Sequence, residues 1–180
     1  MKVLVSAASK HGATAEVAEE IGTALRGALL NERGGIGSGE VTVDVLPAER
    51  VNSVEDYDVV VLGSAVYAGH WLEGAREFSE RHADALAERP TWLFSVGPVG
   101  EPPKPEEDPV DVGPILEATK AREHRIFAGK LDRRALGFAE KAIVLALRAP
   151  EGDFRDWEDI REWALGIAAE VRNLGAPGTT

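Results

Sequence analysis

Three short runs of continuous apolar residues constrain the fold of this chain more than any other feature. They are KVLVS (Lys2–Ser6), DVVVLGS (Asp58–Ser64) and TWLFSV (Thr91–Val96). Each is rich in β-branched or aromatic side chains, and none alternates with polar residues. A strand with one wet face would alternate, so continuous runs predict parallel strands covered on both faces. VTVDVL (Val41–Leu46) does alternate, which places it near a sheet edge, and HRIFAG (His124–Gly129) is a fifth candidate.

Helical spacing fills the intervals. Thr14–Leu30 carries Val17, Ala18, Ile21, Leu25 and Leu29 on one stripe. Leu72–Leu86 reads as one helix with Ala75, Phe78, Ala83 and Leu86 inward. Pro114–Arg122 opens with proline at a permitted first-turn position. The last helix, Trp157–Asn173, is capped by Asp153 or Asp156 and stopped by Gly175 and Pro177. Strands alternating with helices imply right-handed βαβ crossovers. The predicted fold is α/β: a three-layer, doubly wound, five-stranded parallel sheet in the order 2-1-3-4-5, with residues 1–180 as one domain. Gly34–Gly39 is a flexible connector.

Two segments exceed this minimal plan. Gly97–Gly113 is a long proline- and acid-rich loop, and loops of that length are commonly functional. Lys130–Arg148 adds a helical pattern after strand five, with an apolar face through Leu136, Ala139, Ile143 and Leu147, widened by Phe138 and Leu145. It is expected to form an amphipathic helix, or helix and loop, beside the ligand edge. The competing reading packs its apolar face on the sheet.

Composition narrows the chemistry. The chain has no cysteine, which excludes disulfides, a thiol nucleophile and cysteine-held metals, so redox chemistry here needs a borrowed cofactor. The net charge of −11 argues against nucleic acid as a partner. No apolar run approaches a transmembrane length and no signal peptide is visible, so a cytoplasmic location is expected, with peripheral membrane contact left open. His11, His70, His82 and His124 lack metal-ligand spacing, and no metal site is expected. His82 and Asp84 read as surface residues. No Ser/His/Asp triad follows from order and spacing.

In such a sheet, ligands bind outside the carboxyl ends of the strands. The loop after strand one brings two hydroxyls, Ser9 and Thr14, to either side of Gly12 at a helix N-terminus, a setting that suits one phosphate. It matches neither GxxxxGK[ST] nor GxGxxG. Helix capping by Ser9 or Thr14 is the alternative. GSAVYAGHW (Gly63–Trp71) offers Tyr67, His70 and Trp71 for stacking on a flat ring, unless the aromatics pack over the sheet edge. SVGPVG (Ser95–Gly100) could border the same ring.

Ser9-Lys10-His11-Gly12-Ala13-Thr14 resembles the SxxGxT phosphate loop of flavodoxins. VVVLGSAVYAGHWLEGAREF, WLFSVGPVG and APEGDFRDWEDIREWA resemble the branch that contains menaquinone-dependent protoporphyrinogen IX dehydrogenase, which also carries an extra segment between strand five and the last helix. The resemblance implies a noncovalent FMN, with its phosphate on Ser9, Lys10, His11, Gly12, Ala13 and Thr14. It implies an isoalloxazine between two stretches: Ser64, Ala65, Val66, Tyr67, Ala68 and Gly69 on one side, and Ser95, Val96, Gly97, Pro98, Val99 and Gly100 on the other. It further implies oxidation of a porphyrinogen with electrons passed to menaquinone. The alternative is a flavodoxin-type electron carrier that steers toward a basic redox partner.

Overall fold

The computed structural model describes residues 1–30, 40–97, 107–146 and 149–175. The Gly34–Gly39 connector and most of the loop after the strand at Thr91–Val96 lie outside the described residues. Five parallel strands form the sheet: β1 (Lys2–Ala8), β2 (Thr42–Pro47), β3 (Val59–Tyr67), β5 (Thr91–Val96) and β6 (His124–Phe127). Their spatial order is β2-β1-β3-β5-β6, which over the parallel strands alone reads 2-1-3-4-5. A two-residue strand, β4 (His70–Trp71), folds back antiparallel on β3. The alternating run lies at one edge, as β2.

The continuous runs are explained by which side chain faces where. Val3, Val5, Val59, Val61, Trp92 and Phe94 join one buried cluster with α1 (Ala13–Leu30) and α6 (Trp157–Gly175). Their neighbours Leu4, Val60, Leu62 and Leu93 join a second cluster, on the opposite face, with α2 (Glu73–Arg81), α3 (Ala83–Ala87) and α4 (Val112–Thr119). Successive strand residues point to opposite faces, so a sheet covered on both sides needs apolar residues at every position. Gly63 has a packing reason. A Cβ there would lie 2.1 Å from the Phe94 ring, so only glycine lets that ring lie over β3.

Three expectations are corrected. The helix expected over Leu72–Leu86 is two helices joined at His82. His82 is buried and not a surface residue: its ring meets Phe78 edge-on at 4.9 Å, and burial lowers its pKa. Strand three runs beyond Ser64 to Tyr67, so Ser64–Val66 is buried strand and Tyr67 its half-exposed last residue. The region after β6 holds more than one helix. Lys130–Leu131 (β7) pairs antiparallel with Gly152–Asp153 (β8), and between them come a 3₁₀ turn at Arg133–Ala135 and α5 (Phe138–Ala146). The start of α6 is capped by Asp156, whose Oδ1 accepts from Glu158 N at 3.0 Å and Asp159 N at 3.1 Å.

Candidate functional site

β1 ends at Ala8, and the chain turns through Ser9–Gly12 into α1. Gly12 makes the turn at φ +88°, and its carbonyl accepts from Glu16 N at 2.9 Å. A Cβ on Gly12 would meet nothing within 4 Å, so glycine is needed for its backbone angle and the space above it is open. The first amides of a helix have no partner within the helix, and their dipoles favour an anion. Ser9 Oγ is buried with no hydrogen-bond partner among the described residues. Thr14 is buried in the first turn. A buried hydroxyl without a partner beside free helix amides fits a phosphate better than it fits a simple cap, because a cap would already be satisfied.

The second stretch splits by role. Ser64, Ala65 and Val66 are buried in β3. Ser64 Oγ accepts from Leu72 N at 2.9 Å and donates to Ala65 O at 2.8 Å, so it is fully engaged. Ala68 (φ +50°) and Gly69 (φ +80°) form the two-residue turn of the β3–β4 hairpin, with both residues left-handed as such turns require. Alanine at the first of them is strained, and strain of this kind clusters at functional edges. Asp111 holds the turn in place by accepting from Trp71 N at 2.8 Å and pairing with His70 at 3.2 Å. Of the two aromatics, Trp71 is buried over the sheet. Tyr67 stays half-exposed beside the first loop, its ring 5.3 Å from Lys10 Nζ and 6.4 Å from the His11 ring. Burial, then the nearby Glu140 charge, pushes the Tyr67 hydroxyl up to about 12.

In the third stretch, Ser95 and Val96 are buried in β5. Gly97 turns the chain away at φ +77°, its N–H donating to Phe127 O at 3.0 Å. Pro98, Val99 and Gly100 lie outside the described residues. Beneath this edge runs a line of side chains that spacing did not reveal. The Trp71 indole donates to Ser95 Oγ at 2.7 Å, Ser95 Oγ meets His124 Nε2 at 2.8 Å, and His124 Nδ1 meets Asp108 Oδ1 at 2.9 Å. The network assigns the tautomer: the serine hydroxyl donates to Nε2, and Nδ1–H donates to Asp108. Burial lowers the His124 pKa, and Asp108 opposes the shift without cancelling it. Ser95 is fully buried, so this is no accessible nucleophile. The line instead pins Asp108, at the far end of the long loop, to the sheet.

The segment after β6 meets the β1–α1 turn and the start of α1 at two points. Glu140, in the first turn of α5, accepts from Lys10 Nζ at 2.6 Å and lies 3.1 Å from His11 Nε2. Its other oxygen accepts from Gly137 N at 2.8 Å. Lys10, the Gly137 amide and His11 together hold the Glu140 carboxyl down at about 2. From the other side, the buried Arg155 guanidinium binds Asp153 (2.8 and 2.6 Å), Glu16 (2.7 Å) and the Ala13 carbonyl (3.1 Å), and lies 4.5 Å over the Trp157 ring. Asp153, one of the two expected caps of α6, thus holds Arg155 instead. Neither tie was visible in the sequence, since the partners are more than a hundred residues apart.

A family model for the flavodoxin domain matches residues 4–157. Protoporphyrinogen IX dehydrogenase [quinone] of Escherichia coli (strain K12) is 25% identical over 183 residues, covering 93% of this chain and 95% of the relative. A flavodoxin from the domain Archaea superposes with a TM-score of 0.59 at 17% identity, over 95% of this chain and 99% of its own. An oxidoreductase from Corynebacterium diphtheriae superposes with a TM-score of 0.58 at 14% identity, over 96% and 97%. The fold, the open glycine turn and the partnerless Ser9 hydroxyl agree with the family match: this chain belongs to the flavodoxin domain family, an FMN-type oxidoreductase family whose cofactor is FMN.

Proposed function

We propose that this chain is an FMN-dependent dehydrogenase that oxidises a porphyrinogen, protoporphyrinogen IX in the first instance, and passes the electrons to a quinone. The observation that carries the reading is the extra segment. A carrier that only exchanges electrons gains nothing from a helix fastened beside its phosphate loop. Here Glu140 and Arg155 fasten one there from two sides, and the relative of nearly equal length is named for this activity.

Ser9, Thr14 and the first amides of α1 would hold the FMN phosphate. Bound FMN supplies a reversible two-electron acceptor between porphyrinogen and quinone. Each two-electron oxidation would take two electrons and two protons from the porphyrinogen, from its bridge carbons and pyrrole nitrogens together, and reduce one quinone to quinol. The chain's own part is placement. Tyr67 and the Ala68–Gly69 turn would border the ring side, the Ser95–His124–Asp108 line fixes Asp108 opposite, and Lys10, paired with Glu140, would stand beside Tyr67. A flavodoxin-type carrier is the second reading, favoured by the net charge of −11, which would steer the protein to a basic partner.

The test is turnover. Purified holoprotein is given protoporphyrinogen IX with a menaquinone analogue, and porphyrin fluorescence is followed. Quinone-dependent production supports the dehydrogenase. Only background oxidation, together with rapid reductase-coupled reduction of cytochrome c, would make it a carrier.

A further inference from the structure

Helix α5 lies inside out. At 100° per residue, Leu145, Phe138, Ala142, Ala146, Ala139 and Ile143 fill one continuous arc, and all six are exposed. Phe138 is 96% exposed, Leu145 70% and Ile143 58%. The residues turned to the body are Glu140 and Val144, the two half-buried ones. The ends of the segment are anchored, with Leu136 and Ala149 both buried. A helix held at both ends with its apolar arc facing water leaves that arc uncovered by the described residues and open to a surface outside them.

The charge of the segment says which kind of surface. Of the chain's 20 basic and 31 acidic residues, five basic but only two acidic ones fall within 130–148. Lys130, Arg133, Arg134 and Lys141 are exposed, Arg134 by 90%. Lys141 flanks the arc on α5 itself, and Lys130, Arg133 and Arg134 lie just before the helix, Arg134 held by Asp132 and Arg133 3.9 Å from Glu151. An apolar arc in a lysine- and arginine-rich segment is the pattern of a helix that lies in a membrane interface. The acidic remainder of the molecule does not forbid this, because repulsion is largely screened beyond about 8 Å at physiological ionic strength. A second copy is a poor occupant. Nine residues of helix cannot supply the roughly 800 Å² per partner of a stable interface, and pairing α5 with α5 would set like charges together.

We propose that α5, with the basic residues of its segment, docks this protein on an anionic lipid bilayer through Phe138, Leu145 and Ile143. The docking gives the quinone reading a surface by which to reach a lipid-borne acceptor, but it is tested without substrate or turnover. FMN-loaded protein is sedimented with vesicles of phosphatidylcholine alone or mixed with phosphatidylglycerol. Binding is expected to the mixed vesicles only, weakened by high salt. Phe138→Ser with Leu145→Ser should reduce it at least about tenfold, while Leu165→Ser, an exposed apolar change on α6, leaves it intact. Arg134→Glu with Lys141→Glu should reduce it while the flavin absorbance stays. No sedimentation with either vesicle, or sedimentation indifferent to the α5 changes, overturns the proposal. So does a concentration-dependent dimer that the α5 changes abolish, since a second copy would then be what covers the arc.

Discussion

Helices α5 and α6 carry the same kind of pattern and meet opposite fates. In α6, Ile160, Trp163, Ala164, Ile167, Ala168 and Val171 form a stripe that is buried against α1 and the sheet. In α5 the apolar arc is as continuous, yet no residue of the helix is buried. The difference lies in what was left to cover. One face of the sheet is taken by α1 and α6, the other by α2, α3 and α4. A helix inserted between β6 and α6 finds no sheet surface to sit on. An amphipathic pattern therefore states that a face wants an apolar neighbour, while topology decides whether the chain itself provides one.

The sharpest test of this contrast is a matched pair of truncations. Trp163 packs its ring 6.1 Å from Phe94 and 5.6 Å from Phe127. Trp163→Ala should cost about 3–5 kcal/mol in urea unfolding. Phe138→Ala should stay within about 0.5 kcal/mol. Comparable losses would mean that α5 is core after all.

The next effect separates the two ties. Arg155 is buried and binds the Ala13 carbonyl, so it fixes the loop at the start of α1, where the FMN phosphate is proposed to sit. Arg155→Met should weaken FMN binding about tenfold, or ~1.4 kcal/mol, and leave riboflavin, which lacks the phosphate, nearly unaffected. Arg155→Lys should rescue little, because lysine lacks the planar fork that reaches Asp153, Glu16 and Ala13 O together. Equal losses for FMN and riboflavin would reduce Arg155 to general support.

The smallest effect concerns Glu140. Its carboxyl is held down from 4.5 to about 2, so its tie to Lys10 and His11 is at full strength above pH 4.5 and is lost as pH falls toward 2. Amide protection in Phe138–Ala146, taken relative to intrinsic exchange at each pH, should therefore fall on acidification through that window. In Glu140→Gln it should already be lower at pH 7 and show no such acid step. Unchanged exchange in the variant would show the tie to be idle.

Much of the fold was legible because its signals are local. Continuous apolar runs marked β1, β3 and β5, and alternation marked the edge strand β2. The Ser9–Thr14 loop was legible too, since strand, hydroxyl, glycine and helix follow one another directly. His82 was misread because one polar residue in a helical pattern looks exposed, when its position next to Phe78 turns it inward. The strand read as Asp58–Ser64 ends too early because glycine and serine interrupt an apolar run. In the fold, Gly63 makes room for Phe94, and the Ser64 hydroxyl is satisfied within two bonds.

The sequence by itself determined the class of fold and the place of the glycine turn that opens α1. Each follows from periodicity and from the residues that flank a turn, which are interactions among near neighbours. Only the tertiary structure decided that Glu140 and Arg155 close on the same loop from two sides, that Ser95, His124 and Asp108 stand in one line, and that the arc of α5 faces outward. These depend on contacts between residues far apart in the chain. Such contacts have no period, and they exist only once the sheet has brought the carboxyl ends of its strands to one edge and covered both of its faces.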